Sequence, residues 1–316
     1  MLGTDQTLGA VALRGRRVLV TGARGFLGGA LCRALSAGGA ELHASSREHP
    51  LIDGDGGACW WRSDPADAAA AMTLIRDVAP EVIFHMSAAV NGSRNLAAVL
   101  PTFRNGLSST VNLLTAAVEA GVDRFVLAGS VEARAQDGVP RSPYAASKAA
   151  ATIYATMFGA LFGLRCVDVR ISMTYGPGQS DLKKLVPYVI EEARFGRSPS
   201  LGSGTRLADW IYVDDTVAAL LAAADSPMAI GQSIELGTGI LTSVREVVER
   251  LVKLVNPAVQ PRFGALTDRP YEDEAPVDPN PAQRLLNGWV ARVELNEGLR
   301  RTVTAALDAA KTQDST

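Results

Sequence analysis

Tyr144-Ala145-Ala146-Ser147-Lys148 sets a phenol and an ammonium four residues apart. In a helix that spacing puts both on one face. An ammonium beside a phenol favours the phenolate, which makes a tyrosine usable as an acid or base near neutrality. Ser142-Pro143, immediately before, reads as a helix cap and first turn. Ser130 closes the apolar run RFVLAG (124–129), so its hydroxyl can hold a substrate oxygen beside Tyr144. Glu132, two residues on, adds a carboxylate that is either solvated or a further acid–base group. A second constellation is VLVTGARGFLG (18–28), with glycines at 22, 25 and 28 between a strand-like run and a helix-like one. Gly22 permits the tight turn, Gly25 lets a pyrophosphate approach the backbone at a helix N-terminus, and Gly28 lets helix and strand pack closely.

A dinucleotide site of this kind takes its NAD or NADP preference from the end of the second strand. Here Leu42-His43-Ala44-Ser45-Ser46-Arg47 holds no acid before Glu48. Ser46, Arg47 and, from the glycine loop, Arg24 suit the 2′-phosphate of NADP(H); NAD(H) stays open. His85 lies inside an apolar strand and reads as a core or cofactor-lining group. No His, Cys, Asp or Glu grouping has metal-ligand spacing, so no metal is expected.

The elements that must position these groups alternate. Strand-like runs at 17–21, 40–45, 81–86, 124–129 and 165–170 are separated by helical stretches at 26–39, 66–77, 98–120 and 143–162. This alternation predicts a doubly wound, mostly parallel α/β sheet. Beyond about residue 178 the pattern turns irregular, with helices at 181–196 and 243–255 and six prolines between 256 and 281. The expected division is a loose tail over 1–14, a Rossmann domain over 15–178 and a smaller substrate lobe over 179–316, with 208–226 returning to the first domain. The chain has 316 residues, 47% hydrophobic and 20% charged, and a net charge of −2. Such a balance forces no basic patch, so nucleic acid is not an expected partner. No apolar run reaches the ~18 residues of a membrane span. Three scattered cysteines and no visible signal peptide fit a cytoplasmic protein.

The motifs together resemble the extended short-chain dehydrogenase/reductase family, in its nucleotide-sugar, epimerase/dehydratase-like branch, over about residues 16–308. TGARGFLG resembles the family's TGxxGFxG, which adds Phe26 and Leu27 to the cofactor loop. VIFHMSAAV (82–90) resembles the cofactor-lining VxHLAA segment, giving Ser87 and Ala88, and Asp64 joins the same set. Asn105 resembles the asparagine that supports the active-site helix. Ser130, Tyr144 and Lys148 fall on the catalytic triad, with Tyr144 and Lys148 also at the cofactor. TYGPGQ (174–179), DWIYVDD (209–215) and LNEGLRRTV (295–303) resemble the segments that follow. The resemblance implies a Rossmann domain, a C-terminal substrate lobe, hydride transfer at a sugar carbon, commonly C4, and a homodimer built through a four-helix bundle.

The departures fall on the substrate side. Met173 stands where the family's epimerases carry Asn. Ala208 stands where they carry Arg, with Arg206 as a substitute. Arg269 resembles the arginine that clamps the nucleotide diphosphate. Glu132 matches a dehydratase glutamate, but Val131 replaces the acid that often precedes it. Three functions compete. The first is NADPH-dependent reduction of a 4-keto-6-deoxy nucleotide sugar. The second is a redox-neutral epimerase, 4,6-dehydratase or decarboxylase with a retained cofactor. The third is a non-catalytic NADP sensor, which would be expected to lose Tyr144 or Lys148.

Overall fold

A computed structural model describes residues 12–48, 57–87, 92–134, 138–268 and 275–314, which form two units. The first unit takes residues up to Ile171, Val217–Leu236 and Asn280–Trp289. Its strands are β1 (Arg17–Thr21), β2 (Glu41–Ser46), β3 (Cys59–Arg62), β4 (Val82–His85), β5 (Arg124–Ser130), β6 (Cys166–Ile171) and β9 (Ser233–Leu236). They form one sheet in the order β3-β2-β1-β4-β5-β6-β9, and every neighbouring pair is parallel. The central strands β1, β4, β5 and β6 are buried on both faces and are short apolar runs rather than alternating ones, while the edge strands β3 and β9 are only partly buried. The strand order reverses between β1 and β4, the place where ligands bind in open α/β sheets.

Helix ends follow their local chemistry. α1 (Phe26–Gly38) starts at Gly25 and stops at Gly39, whose φ of 80° ends it in the left-handed region. α2 (Ala68–Val78) is capped by the Asp67 side chain. α3 spans 99–119, with a π-helical turn over Phe103–Ser108 in its middle. α4 (Pro143–Phe162) is capped by the Ser142 hydroxyl and ends at Gly163. Leu74, Ile75, Leu113, Leu114, Ala151 and Phe158 from α2, α3 and α4 join Leu19, Ile83, Phe125 and Leu127 of the sheet in one buried cluster.

The second unit takes Ser172–Thr216, Gly237–Pro279 and the chain from Val290. β7 (Met173–Tyr175) runs parallel to β8 (Leu207–Tyr212), and β10 (Leu241–Ser243) runs antiparallel to β8. α5 (Leu185–Arg194), α7 (Val244–Val255) and α9 (Leu295–Asp314) belong to it. α6 (Val213–Asp225) carries the chain from this unit into the first, and the short α8 (Asn280–Leu285) lies in the first.

Three details differ from the sequence expectation. The returning stretch is 217–236 with 280–289, because β9 completes the first sheet beside β6. α5 begins at Leu185, not 181, because Asp181 closes a turn: its side chain accepts from Lys183 N (3.0 Å) and its carbonyl from Lys184 N (2.9 Å). β3 and β9 were not expected; each has only four residues.

Candidate active site

The glycine loop joins β1 to α1. Gly22 has φ 70°, and a Cβ there would lie 2.7 Å from Ser87 Cα, so the loop after β1 touches the loop after β4. Gly25 N–H donates to Gly22 O at 2.9 Å and closes the turn. A Cβ on Gly28 would lie 2.2 Å from Gly22 O, so α1 sits directly on the turn. No side chain caps α1 and no acid lies in its first turn, whereas α2, α4 and α7 are each capped by their own Asp or Ser. A helix N-terminus left open beside glycines fits the diphosphate of a dinucleotide. Phe26 and Leu27 open α1, half-buried.

At the end of β2 the picture is less simple. Arg47 is exposed. The Ser46 hydroxyl donates to the Glu48 carbonyl. Arg24 donates to the Glu48 carboxylate at 3.0 Å, so part of its charge is already answered. Asp64, after β3, accepts from Arg104 at 3.2 Å and from Ala66 N at 3.1 Å. Ala88 and Arg269 lie outside the described residues.

Ser130, Tyr144 and Lys148 are all buried and brought together where β5 ends and α4 begins. The Ser130 hydroxyl hydrogen-bonds the Tyr144 phenol and accepts from Glu132 N at 3.2 Å. Lys148 Nζ donates to the Ala128 carbonyl at 2.5 Å and sits 5.8 Å from the Tyr144 ring centre. The Tyr144 phenol does not have the lowered pKa that the Tyr–Lys spacing predicts. Burial raises it, and the nearby Glu132 charge raises it further, against the Ser130 hydrogen bond. The lysine donates to the Ala128 carbonyl and is itself pushed down to about 8 by burial. Glu132 is exposed at this end of the site, on a one-turn helix (Val131–Ala133) that Ser130 caps.

Asn105 lies in the π-helical turn of α3, half-buried, with its carbonyl accepting from Ser109 at 2.8 Å. The next residue, Gly106, lets α3 meet α4: a Cβ there would lie 2.1 Å from Ser147 Oγ. His85 ends β4, fully buried. The Thr110 hydroxyl donates to Gly106 O (2.6 Å), so it accepts from His85 Nε2 (3.0 Å), and His85 Nδ1 accepts from Thr21 (2.7 Å). The ring is therefore a neutral tie across β1, β4 and α3. Burial, with the Lys148 charge, holds its pKa down to about 3.

That tie gives stability a pH dependence. An unfolded histidine titrates near ~6.5, so between there and about 3 the unfolded chain binds a proton that the folded chain refuses. The stabilisation is present above the unfolded pKa and is lost as pH falls. Urea denaturation of the wild type at pH 7.5 and pH 5 should show about 2 kcal/mol more acid loss than His85→Gln shows. Equal losses would contradict this tie.

Met173 (on β7) and Arg206 (before β8) are half-buried in the second unit. The two outer acids of DWIYVDD are structural. Asp209 accepts from Thr238 N (2.7 Å), Thr238 Oγ1 (2.8 Å) and Gly239 N (2.9 Å), and Asp215 accepts from Val293 N (2.9 Å). Asp168, with its partner Thr152, was missed by motif reading. Its signal was an acid inside the apolar strand CVDVRI.

A model of the NAD dependent epimerase/dehydratase family matches residues 18–237, most of the chain. The chain belongs to that family. It is an extended short-chain dehydrogenase/reductase enzyme. Among similar proteins is a UDP-glucose 4-epimerase of Mycolicibacterium smegmatis, 31% identical, covering 91% of this chain and 97% of that one. A dTDP-glucose 4,6-dehydratase of Streptomyces griseus is 30% identical over 90% of this chain and 92% of that one. The crystal structure of a Thermus thermophilus UDP-glucose 4-epimerase complexed with NAD has a TM-score of 0.80 and 27% identity, covering 93% of this chain and 99% of that one. Among the described residues no helix is long and apolar enough to cross a membrane.

Proposed function

We propose that this family member transforms a nucleotide sugar without net redox change, by transient oxidation at C4, with the first unit holding NAD(P) and the second carrying substrate contacts at Met173, Arg206 and Arg269. The observation that carries this reading is the placing of Glu132 beside the triad: its N–H donates to the Ser130 hydroxyl at 3.2 Å, and its charge raises the Tyr144 phenol. A ketoreductase needs one proton donor, whereas this site presents two proton-transfer groups. The similarity to a 4-epimerase and a 4,6-dehydratase supports the same reading and outweighs the reductase that the sequence put first.

When bound, the nicotinamide supplies hydride acceptance and, oxidised, a positive charge. The chain supplies the proton chemistry. Tyr144 takes the C4 hydroxyl proton and returns it when C4 is reduced again. Ser130 holds that oxygen. Lys148 keeps positive charge behind the phenol. That return to C4 is the epimerase course and does not call on Glu132. On the dehydratase course C4 stays a ketone, Glu132 takes the C5 proton that the ketone acidifies and passes it to the C6 hydroxyl, which leaves as water, and hydride returns to C6 with a proton to C5. The experiment is a panel of nucleotide sugars supplied with NAD(P) at far below the sugar concentration. Conversion of many sugars per cofactor, lost for the most part in Glu132→Gln, supports the proposal. A strict need for one NADPH per sugar, with full activity in Glu132→Gln, returns the reading to 4-keto reduction, which the loss of asparagine at Met173 favours.

NADP(H) is the preferred cofactor in this reading, chiefly through Arg47. Glu48 offsets Arg24, which leaves Arg47 as the guanidinium for a 2′-phosphate. A charge-assisted hydrogen bond contributes about 1.5–3 kcal/mol, so Arg47→Ala should weaken NADPH binding ~10–100-fold and spare NADH. Equal affinity of the parent protein for both cofactors would contradict this preference.

The protein acts as a homodimer, in the cytoplasm, where its three free cysteines stay reduced. Leu100 and Phe103 on α3, with Ile153 and Leu161 on α4, are large apolar side chains left exposed. Two copies of this helix pair bury them as a four-helix bundle. Light scattering at micromolar concentration should give a dimer, and Ile153→Glu a monomer. A monomeric parent protein would contradict it.

A further inference from the structure

Asp168 sits in the middle of β6 between two buried valines, with 3% of its surface exposed. No motif accounts for an acid there. Its Oδ2 accepts from the Thr152 hydroxyl at 2.7 Å and from Arg170 Nε at 3.1 Å. Its Oδ1 is buried and, among the described residues, has no hydrogen-bond partner. That oxygen occupies the space a side chain on Gly129 would fill: a Cβ there would lie 2.2 Å from it. Gly129 stands between Ala128, whose carbonyl holds Lys148 Nζ, and Ser130. Thr152 is one helical turn beyond Lys148 on the same face of α4. The carboxylate therefore lies over the segment of β5 on which the ammonium is seated.

We infer that Asp168 is a positioning residue for Lys148: a buried carboxylate that keeps the ammonium charged and in place over Ala128. The inference rests on the assignment of Tyr144 and Lys148 made above. A buried ammonium without a counter-ion tends to lose its proton. Among the described residues no carboxylate hydrogen-bonds this one; Nζ is held by a neutral carbonyl. The charge of Asp168 opposes the effect of burial on Lys148, and also raises the thiol of Cys166, two residues earlier on β6. The other groups around the pair are accounted for. β4 contributes His85, neutral and tied to two threonines. α4 contributes Tyr144, on which Glu132 acts. β6 contributes Arg170, bound to Oδ2 and not to Oδ1. β9 faces Asp168 with Ser233, and its Glu235 pairs with Arg134. Asp168 is the one acid of this set whose charge bears on the ammonium.

The chain has five lysines, at 148, 183, 184, 253 and 311, so isotope-labelled lysine side chains can be followed one by one. NMR titration of the full chain, with Lys148→Met to assign the signal, reads the charge of Lys148 without turnover. The expected midpoint is about 8 in the parent protein. In Asp168→Asn it should fall by about one pH unit. Asp168→Ser, smaller and equally uncharged, should give the same fall if the amide does not fit against Gly129. Thr152→Val and Asp168→Glu keep the charge and should keep the midpoint. In kinetics, the alkaline limb of kcat should move down with the lysine in the Asn and Ser variants. A Lys148 midpoint unmoved in both variants would overturn the inference and leave the proposed function standing. Persistent activity in Tyr144→Phe would do the reverse.

Discussion

Tyr144→Phe loses turnover by ~10²–10⁴-fold while NAD(P) still binds, because a general acid–base group contributes about that much and the phenol serves the substrate oxygen. The geometry makes the loss hard to compensate. The phenol is buried, its pKa is raised by burial and by Glu132, and its hydroxyl contact comes from Ser130. Removing one oxygen leaves the ring in place, so folding and cofactor binding are preserved and the defect falls on kcat. Steady-state kinetics with parallel cofactor titration checks this. Near-normal kcat in Tyr144→Phe would remove the triad from the account.

Gly28→Ala is the second large effect, and it acts through backbone. The added Cβ would lie 2.2 Å from Gly22 O and 2.9 Å from Gly22 C, so the turn itself has to move. A flexible side chain could swing aside; a carbonyl fixed between β1 and α1 cannot. Overpacking of this kind costs about 1–3 kcal/mol, which lowers Tm by several degrees in a chain of this size. The turn that shifts is the one proposed to cradle the diphosphate, so NAD(P) affinity should fall by at least ~10-fold as well. Gly29→Ala is the control, since a Cβ there would meet its nearest atom only at 3.4 Å. If Gly28→Ala binds and melts like the control, close packing at this turn is not what the glycine provides.

Much of the first unit was legible in sequence because local signals and tertiary need agree there. α4 runs over the expected 143–162 since Ser142, Pro143 and Gly163 mark both ends. The glycine loop was legible for the same reason: strand, turn and helix are contiguous. The second unit was not, because its sheet pairs β8 with strands of three residues whose partners are distant in sequence. The π-helical turn in α3 left no periodic trace, and the approach of its Gly106 to Ser147 is a contact between helices that only the fold reveals. The catalytic side chains could be named from spacing, but their electrostatics could not. Spacing placed an ammonium near Tyr144 and suggested a lowered pKa, yet burial decides the sign. Asp168 and His85 lay in apolar strands, where only the folded chain reveals Thr152, Thr21 and Thr110 as their partners.

In the proposed reaction hydride leaves C4 and returns to the same molecule. A single turnover of a nucleotide sugar carrying deuterium at C4, with unlabelled cofactor, tests it most directly by mass spectrometry of product and cofactor. The deuterium should end in the sugar product, and the cofactor should finish unlabelled and in its starting redox state. Cofactor consumed in stoichiometric amount, with its own hydride found at C4 of a supplied 4-keto sugar and no conversion of the C4-hydroxy sugar, would contradict it.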